Sequence, residues 1–164
     1  MNSVSLITAT LILIAGVIDD MRSRKVHNWL FLICAASALV GATVTDGFAG
    51  FNLALIGFFA GFVILLPLVL LKIIGAGDMK LFSAFGAAVG WSTTFDVAVW
   101  ALIWGAAFGV LQVALKGQLK ATLQNMIAIA QFKDRQNLIL HKIPFTIALL
   151  MGWLTDLVHR GVLR

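Results

Sequence analysis

Residues 58–80 read FFAGFVILLPLVLLKIIGAGDMK, and residues 81–91 continue LFSAFGAAVGW. An apolar run long enough to cross a bilayer meets Asp78 and Lys80 behind two glycines, then turns apolar again. An aspartate at the centre of an inserted helix costs about 2.5–3.5 kcal/mol. A carboxylate retained at that cost is a candidate for function and needs a partner.

The rest of the chain belongs to the same solvent. Of 164 residues, 61% are apolar and 12% charged, against about 25% charged in soluble domains. The composition predicts an all-α, polytopic membrane bundle and excludes a soluble globular domain. Its single cysteine, Cys34, excludes disulfides and Cys-rich zinc sites. His27, His141 and His159 stand at span ends without ligand spacing, so no metal or cofactor is expected. The first apolar segment follows MNS with no basic region before it, which reads as a retained span within one transmembrane domain over residues 1–164.

Apolar runs and polar breaks predict six spans, near Val4–Ile18, Trp29–Val44, Phe51–Leu71, Met79–Trp91, Val97–Leu115 and Phe145–Val158. Alternate connections divide the basic residues ten to two. Arg22, Arg24, Lys25, Lys72, Lys80, Lys116, Lys120, Lys133, Arg135 and Lys142 share one side, and Arg160 and Arg164 the other. The connections Thr45–Gly50 and Ser92–Asp96, read as short loops, carry none. By the positive-inside rule the ten face the cytoplasm and both termini face out. The net charge of +5 is therefore topological; the expected surroundings are lipid, with no nucleic-acid partner.

All seven acids are aspartate. Asp46, Asp96 and Asp134 read as solvated surface and Asp156 as an interfacial acid. Asp19, Asp20 and Asp78 remain, all at the cytoplasmic edge. Gly75 and Gly77 can adopt positive φ and admit another backbone closely. The plainest reading of Asp78 is an N-cap aspartate after a glycine turn, with Lys80 reaching to the interface. Asp19 and Asp20 end the first span, where a helix dipole disfavours acids. Unexplained acids from two ends of one membrane core point to a pair.

Asp20-Met-Arg22-Ser-Arg24-Lys-Val26-His27-Asn28 and Gly75-Ala-Gly77-Asp78-Met-Lys80 resemble the two motifs of the GxGD aspartyl peptidases that process type IV prepilins and preflagellins. The first motif departs at Val26, where the family has isoleucine, and at His27, where it has proline. Ile143-Pro144-Phe145 is similar to a third, weaker element. The resemblance implies an intramembrane aspartyl endopeptidase in which Asp20 and Asp78 share a proton and activate water. Asp19 would face about 100° away from Asp20 around the helix. Gly75 and Gly77 would let a substrate backbone approach, and Lys80 would position the loop. The implied substrate is a prepilin with a short basic leader, cut at the cytoplasmic face of a bacterial inner membrane. Without the paired CxxC region of many relatives, the chain resembles a peptidase-only form of the kind serving Flp-type (tight-adherence) pili.

A proton- or ion-coupled carrier is the rival class, with the aspartates as relays; only one glycine-broken segment is present, where carriers show two. GFFAG (Gly57–Gly61), GAAVG (Gly86–Gly90) and GAAFG (Gly105–Gly109) suit close helix packing within the bundle. Residues 118–130 carry an apolar face flanked by lysines and read as a helix on the inner membrane surface. Where proline would fix φ, His27 is expected to leave a freer loop or one held by its imidazole. If the loop needs only an extended turn, the favoured reading, His27→Pro is expected to be tolerated with a gain of about 0.4–1 kcal/mol. If the imidazole tunes the pair, His27→Pro and His27→Ala should both distort the pH profile of cleavage.

Overall fold

The computed structural model describes residues 2–23, 26–115 and 145–162. They form five helices: α1 (Ser3–Ser23), α2 (Asn28–Leu70), α3 (Ala76–Val89), α4 (Trp91–Leu115) and α5 (Phe145–His159). No strand occurs among the described residues, so the chain is all-α. α1, α2 and the first 22 residues of α4 are long and apolar enough to cross a membrane. The shorter α5 is also apolar.

α2 is not one rod. Gly47 breaks it with φ 62° and ψ −144°, a conformation open to glycine. The rings of Phe31 and Phe58 then lie 6.1 Å apart, whereas 27 residues of straight helix would separate them by about 40 Å. The two arms therefore run antiparallel. Gly50 completes the bend by packing directly on the Ala42 carbonyl. A second reversal stands at Gly90, φ 81°, with the Thr94 hydroxyl donating to the Gly90 carbonyl at 2.7 Å. That turn corrects the expected loop at Ser92–Asp96: these residues are the opening of α4. A single glycine suffices to reverse the chain, so no longer linker is required.

α3 is the axis. Every residue from Leu81 to Ala88 is buried, as expected of a helix that is apolar on all sides. Gly57 and Gly61 of α2 lie against the α3 backbone at Gly86 and at Phe82–Ser83, where no side chain would fit. Gly152 of α5 meets α4 backbone at Val97 and Ala101 in the same way. These contacts lie within the bundle and let backbones approach where lipid offers no hydrophobic drive. At the centre Phe82 stacks on Phe85, and Phe85 meets Trp153 edge-on, with centroid separations of 5.6 and 5.2 Å.

The outer helices are apolar on both faces. α1 buries Ala9, Ile12, Leu13 and Gly16 but leaves Ile7, Leu11 and Ile18 exposed, Leu11 at 60%. An outward apolar surface of that kind suits hydrocarbon, not water. Both ends of the described chain lie at one end of the bundle. Asn2 is within 3.5 Å of Asp46 beside the Gly47 bend, and Arg160 is 2.6 Å from Asp96 near the Gly90 turn. Asp20, Asp78 and Thr146 occupy the opposite end.

Candidate active site

The site is built from the last turn of α1, the entry to α2, the connection from α2 to α3, and the first turn of α5. α2 ends in a left-handed turn at Lys72, φ 59°, where Ile73 N–H returns to the Leu68 carbonyl at 2.9 Å and Lys72 N–H to that of Val69 at 2.9 Å. This paired return closes the helix and sends the chain back toward the bundle axis. Gly75 is the N-cap of α3, φ −77° and ψ 146°. Gly75 and Gly77, though able to adopt positive φ, do not use it here; the left-handed residue is Lys72.

Asp78 is also one turn further on than an N-cap. It is the third helical residue, and its carboxylate reaches back to accept from Gly75 N–H at 3.2 Å. This is half of a capping box, since glycine has no side chain to return the bond. Asp78 precedes the apolar stretch of α3 and stands outside the three candidate spanning helices. Burial, and after it the charge of Asp20, push its carboxyl up to about 6, against the opposing Gly75 N–H.

α1 and α3 run antiparallel, with Gly16 packed against the Leu81 side chain. One turn along α1 from Gly16 is Asp20, and one turn back along α3 from Leu81 is Asp78. The register therefore brings the two carboxylates to the same end of the α1–α3 interface, near enough for the charge of Asp20 to act on Asp78. Asp20 accepts from the Thr146 hydroxyl at 2.9 Å. Asp19, turned away from that face, accepts from His27 instead, at 2.8 Å from its backbone N–H and at 2.8 and 3.0 Å from Nδ1. Because a carboxylate only accepts, the imidazole proton facing it sits on Nδ1.

Two residues flanking His27 lock the two motifs together, and His27 itself is tied back to α1. Val26 lies against Gly77, whose added Cβ would stand 3.1 Å from the Val26 Cβ. His27 is held by Asp19, and Asn28 Oδ1 accepts from Lys80 Nζ at 2.8 Å. The backbone that approaches Gly77 is this chain's own. The His27 N–H bond also corrects the expectation for His27→Pro. φ at His27 is −71°, which a proline ring fits, but proline would remove a hydrogen bond that the loop uses.

The remaining acids are partnered elsewhere. Asp156, expected at an interface, is 2% exposed and accepts from Arg160 Nε at 2.7 Å. The same guanidinium binds Asp96 at 2.6 Å. Asp134, Arg24, Lys25, Arg164, the basic residues between Lys116 and Lys142, His141, the helix read at 118–130 and Ile143-Pro144 lie outside the described residues. No three His, Cys, Asp or Glu side chains converge among the described residues. Thr146 was not singled out by sequence reasoning. The available signal was its position directly after Ile143-Pro144-Phe145.

The sequence pattern of the type IV leader peptidase family matches residues 6–110, which include both aspartate motifs. No curated protein and no solved structure matches the chain. The match spans well over half the sequence, and the chain belongs to the type IV leader peptidase family. It is a membrane-embedded peptidase.

Proposed function

We propose that this member of the type IV leader peptidase family is an aspartyl endopeptidase that removes the leader of Flp-type prepilins, with Asp20 and Asp78 as its catalytic pair. What carries this is the meeting of two carboxylates at one end of a membrane bundle, with no Lys or Arg paired to either among the described residues. Two facing carboxylates hold one proton between them. The ionised member takes a proton from water as the water oxygen attacks the scissile carbonyl carbon. The protonated member gives its proton to the carbonyl oxygen. On collapse the first returns its proton to the leaving amine, the second recovers one from the tetrahedral hydroxyl, and the C–N bond breaks. The pair ends as it began.

The same reading makes the bundle six-spanning. The arms of α2 measure about 28 and 34 Å at 1.5 Å per residue, each comparable to a hydrocarbon layer of about 30 Å. α3 is a short fourth crossing over Met79–Val89, with Asp78 at its cytoplasmic edge. Arg22, Lys72 and Lys80 lie at that edge, which by the positive-inside rule supports a pair on the cytoplasmic side of a bacterial inner membrane and termini on the other. A basic leader held in the cytoplasm, followed by an apolar segment, would deliver its cleavage bond there. Gly75, Gly77 and Lys80 shape the loop that presents Asp78.

Purified protein and prepilin in detergent test the chemistry. Asp20→Asn and Asp78→Asn should each lower cleavage by at least about 10³-fold while inserting normally, because each member is needed by the other. Full processing by either variant would remove the dyad. Cysteines placed at Thr45 and Ser92 should react with an impermeant reagent from outside and one at Ser23 should not; the buried Cys34 adds little background.

A further inference from the structure

Hydroxyls in these helices have a default partner. Thr10, Ser37, Thr43, Ser83, Thr94 and Thr155 each donate to a carbonyl three or four residues earlier, at 2.7–2.8 Å. Thr146 departs from that pattern. Its side chain is fully buried in the first turn of α5, and its hydroxyl donates to Asp20 Oδ2 from 126 residues away.

We propose that Thr146 is a positioning residue that makes Asp20 the ionised, water-activating member of the pair and leaves Asp78 to hold the proton. The inference rests on the peptidase reading and adds an assignment of roles to it. A hydroxyl hydrogen needs an oxygen lone pair, so the Thr146 bond reserves Oδ2 of Asp20 as an acceptor. That bond, at 2.9 Å, lies within the range of an O–H donor and is strongest when the oxygen carries charge. Asp78 has only the Gly75 N–H, at 3.2 Å, near the long end of the useful range. With Oδ2 occupied, Oδ1 is the oxygen left to take the proton from water.

The surrounding charges do not make this choice for it. From α3, Asp78 and Lys80 face this end, and the Lys80 ammonium is bonded to Asn28. From the entry of α2, His27 is taken by Asp19. On α1 itself, Arg22 is exposed. The titratable groups of α5, Asp156 and His159, lie at the opposite end of the bundle. Among the described residues, burial favours the proton on Asp78, and the hydroxyl of Thr146 favours charge on Asp20.

The test is Thr146→Val, which keeps the branched shape and deletes the donor, measured on the full chain in detergent with purified prepilin. kcat should fall about 10- to 100-fold with KM within about twofold, the size of effect expected for loss of one proton-positioning contact. The acidic limb of the pH–rate profile should move upward by about one unit, and Thr146→Ser should restore both rate and limb. An unchanged rate and profile in Thr146→Val would overturn the assignment. So would a lower rate with the limb in place and no rescue by serine, which would make Thr146 a packing residue. If Thr146→Val does not fold, Thr146→Ala is read for the same two quantities. Asp20→Asn is run beside them. Its retention of activity would reject the dyad itself, whereas an inactive Asp20→Asn with an unaffected Thr146→Val rejects only the role of the threonine.

Discussion

The bundle has aspartates at both ends and treats them in opposite ways. At the end holding the chain termini, Asp96 and Asp156 share one guanidinium, Arg160, with bonds of 2.6 and 2.7 Å. Asp156 is almost wholly buried, yet its charge is matched, and the cluster works as a strut between α4 and α5. At the other end Asp20 is held by a hydroxyl and Asp78 by a backbone N–H, and the charge of Asp20 acts on Asp78. The lesson is that burial alone does not mark a reactive carboxylate. A carboxylate beside a cation has settled its charge; one held by neutral donors beside a second carboxylate has a proton to exchange.

Changing pH should separate the two ends most widely. The raised Asp78 carboxyl is protonated below about 6 and ionised above it. As pH rises through that value the pair loses its shared proton, so leader cleavage should fall about tenfold per unit beyond it. The doubly ionised pair also repels itself, so any stability linked to Asp78 is present at low pH and lost over the same interval. A pH–rate profile flat from pH 5 to 9 would break the comparison at its reactive end.

Asp156→Asn probes the other end. Arg160 keeps Asp96, so the loss is one charge-assisted hydrogen bond, worth about 1.5–3 kcal/mol in thermal unfolding, with cleavage retained. Loss of cleavage without loss of stability would put chemistry at the wrong end of the bundle.

The smallest effect is expected at His27→Pro. The ring fits φ, but the N–H and imidazole bonds to Asp19 are both lost, for about 1–2 kcal/mol less stability and little change in cleavage. A double-mutant cycle with Asp19→Ala should show the two changes to be strongly non-additive. Additive losses would mean that the Asp19–His27 contact does not hold the loop.

Some of this was legible in the residues. Apolar run lengths marked the helical segments, because membrane thickness sets a length that a sequence must meet. Asp20 and Asp78 stood out because a carboxylate in such a chain is costly, and the spacing of the two motifs carried the family resemblance. The connection expected at Ser92–Asp96 was misplaced because a polar stretch does not show whether its backbone is helical, and Gly90 alone makes that turn. Gly75 and Gly77 offered a positive φ that the chain does not use, while a lysine takes the left-handed position.

Partnership is where sequence reading stopped. The sequence by itself determined the solvent, the helical class, the family and the two aspartates. It could not determine that Asp156 is neutralised by Arg160, that Asp19 serves His27, or that Thr146 reaches Asp20 across 126 residues of chain. Those pairings depend on helix register, and register is set by where glycines such as Gly57, Gly86 and Gly152 let two backbones touch. A contact of that kind is decided by shape between distant segments, and no local pattern of residues encodes it.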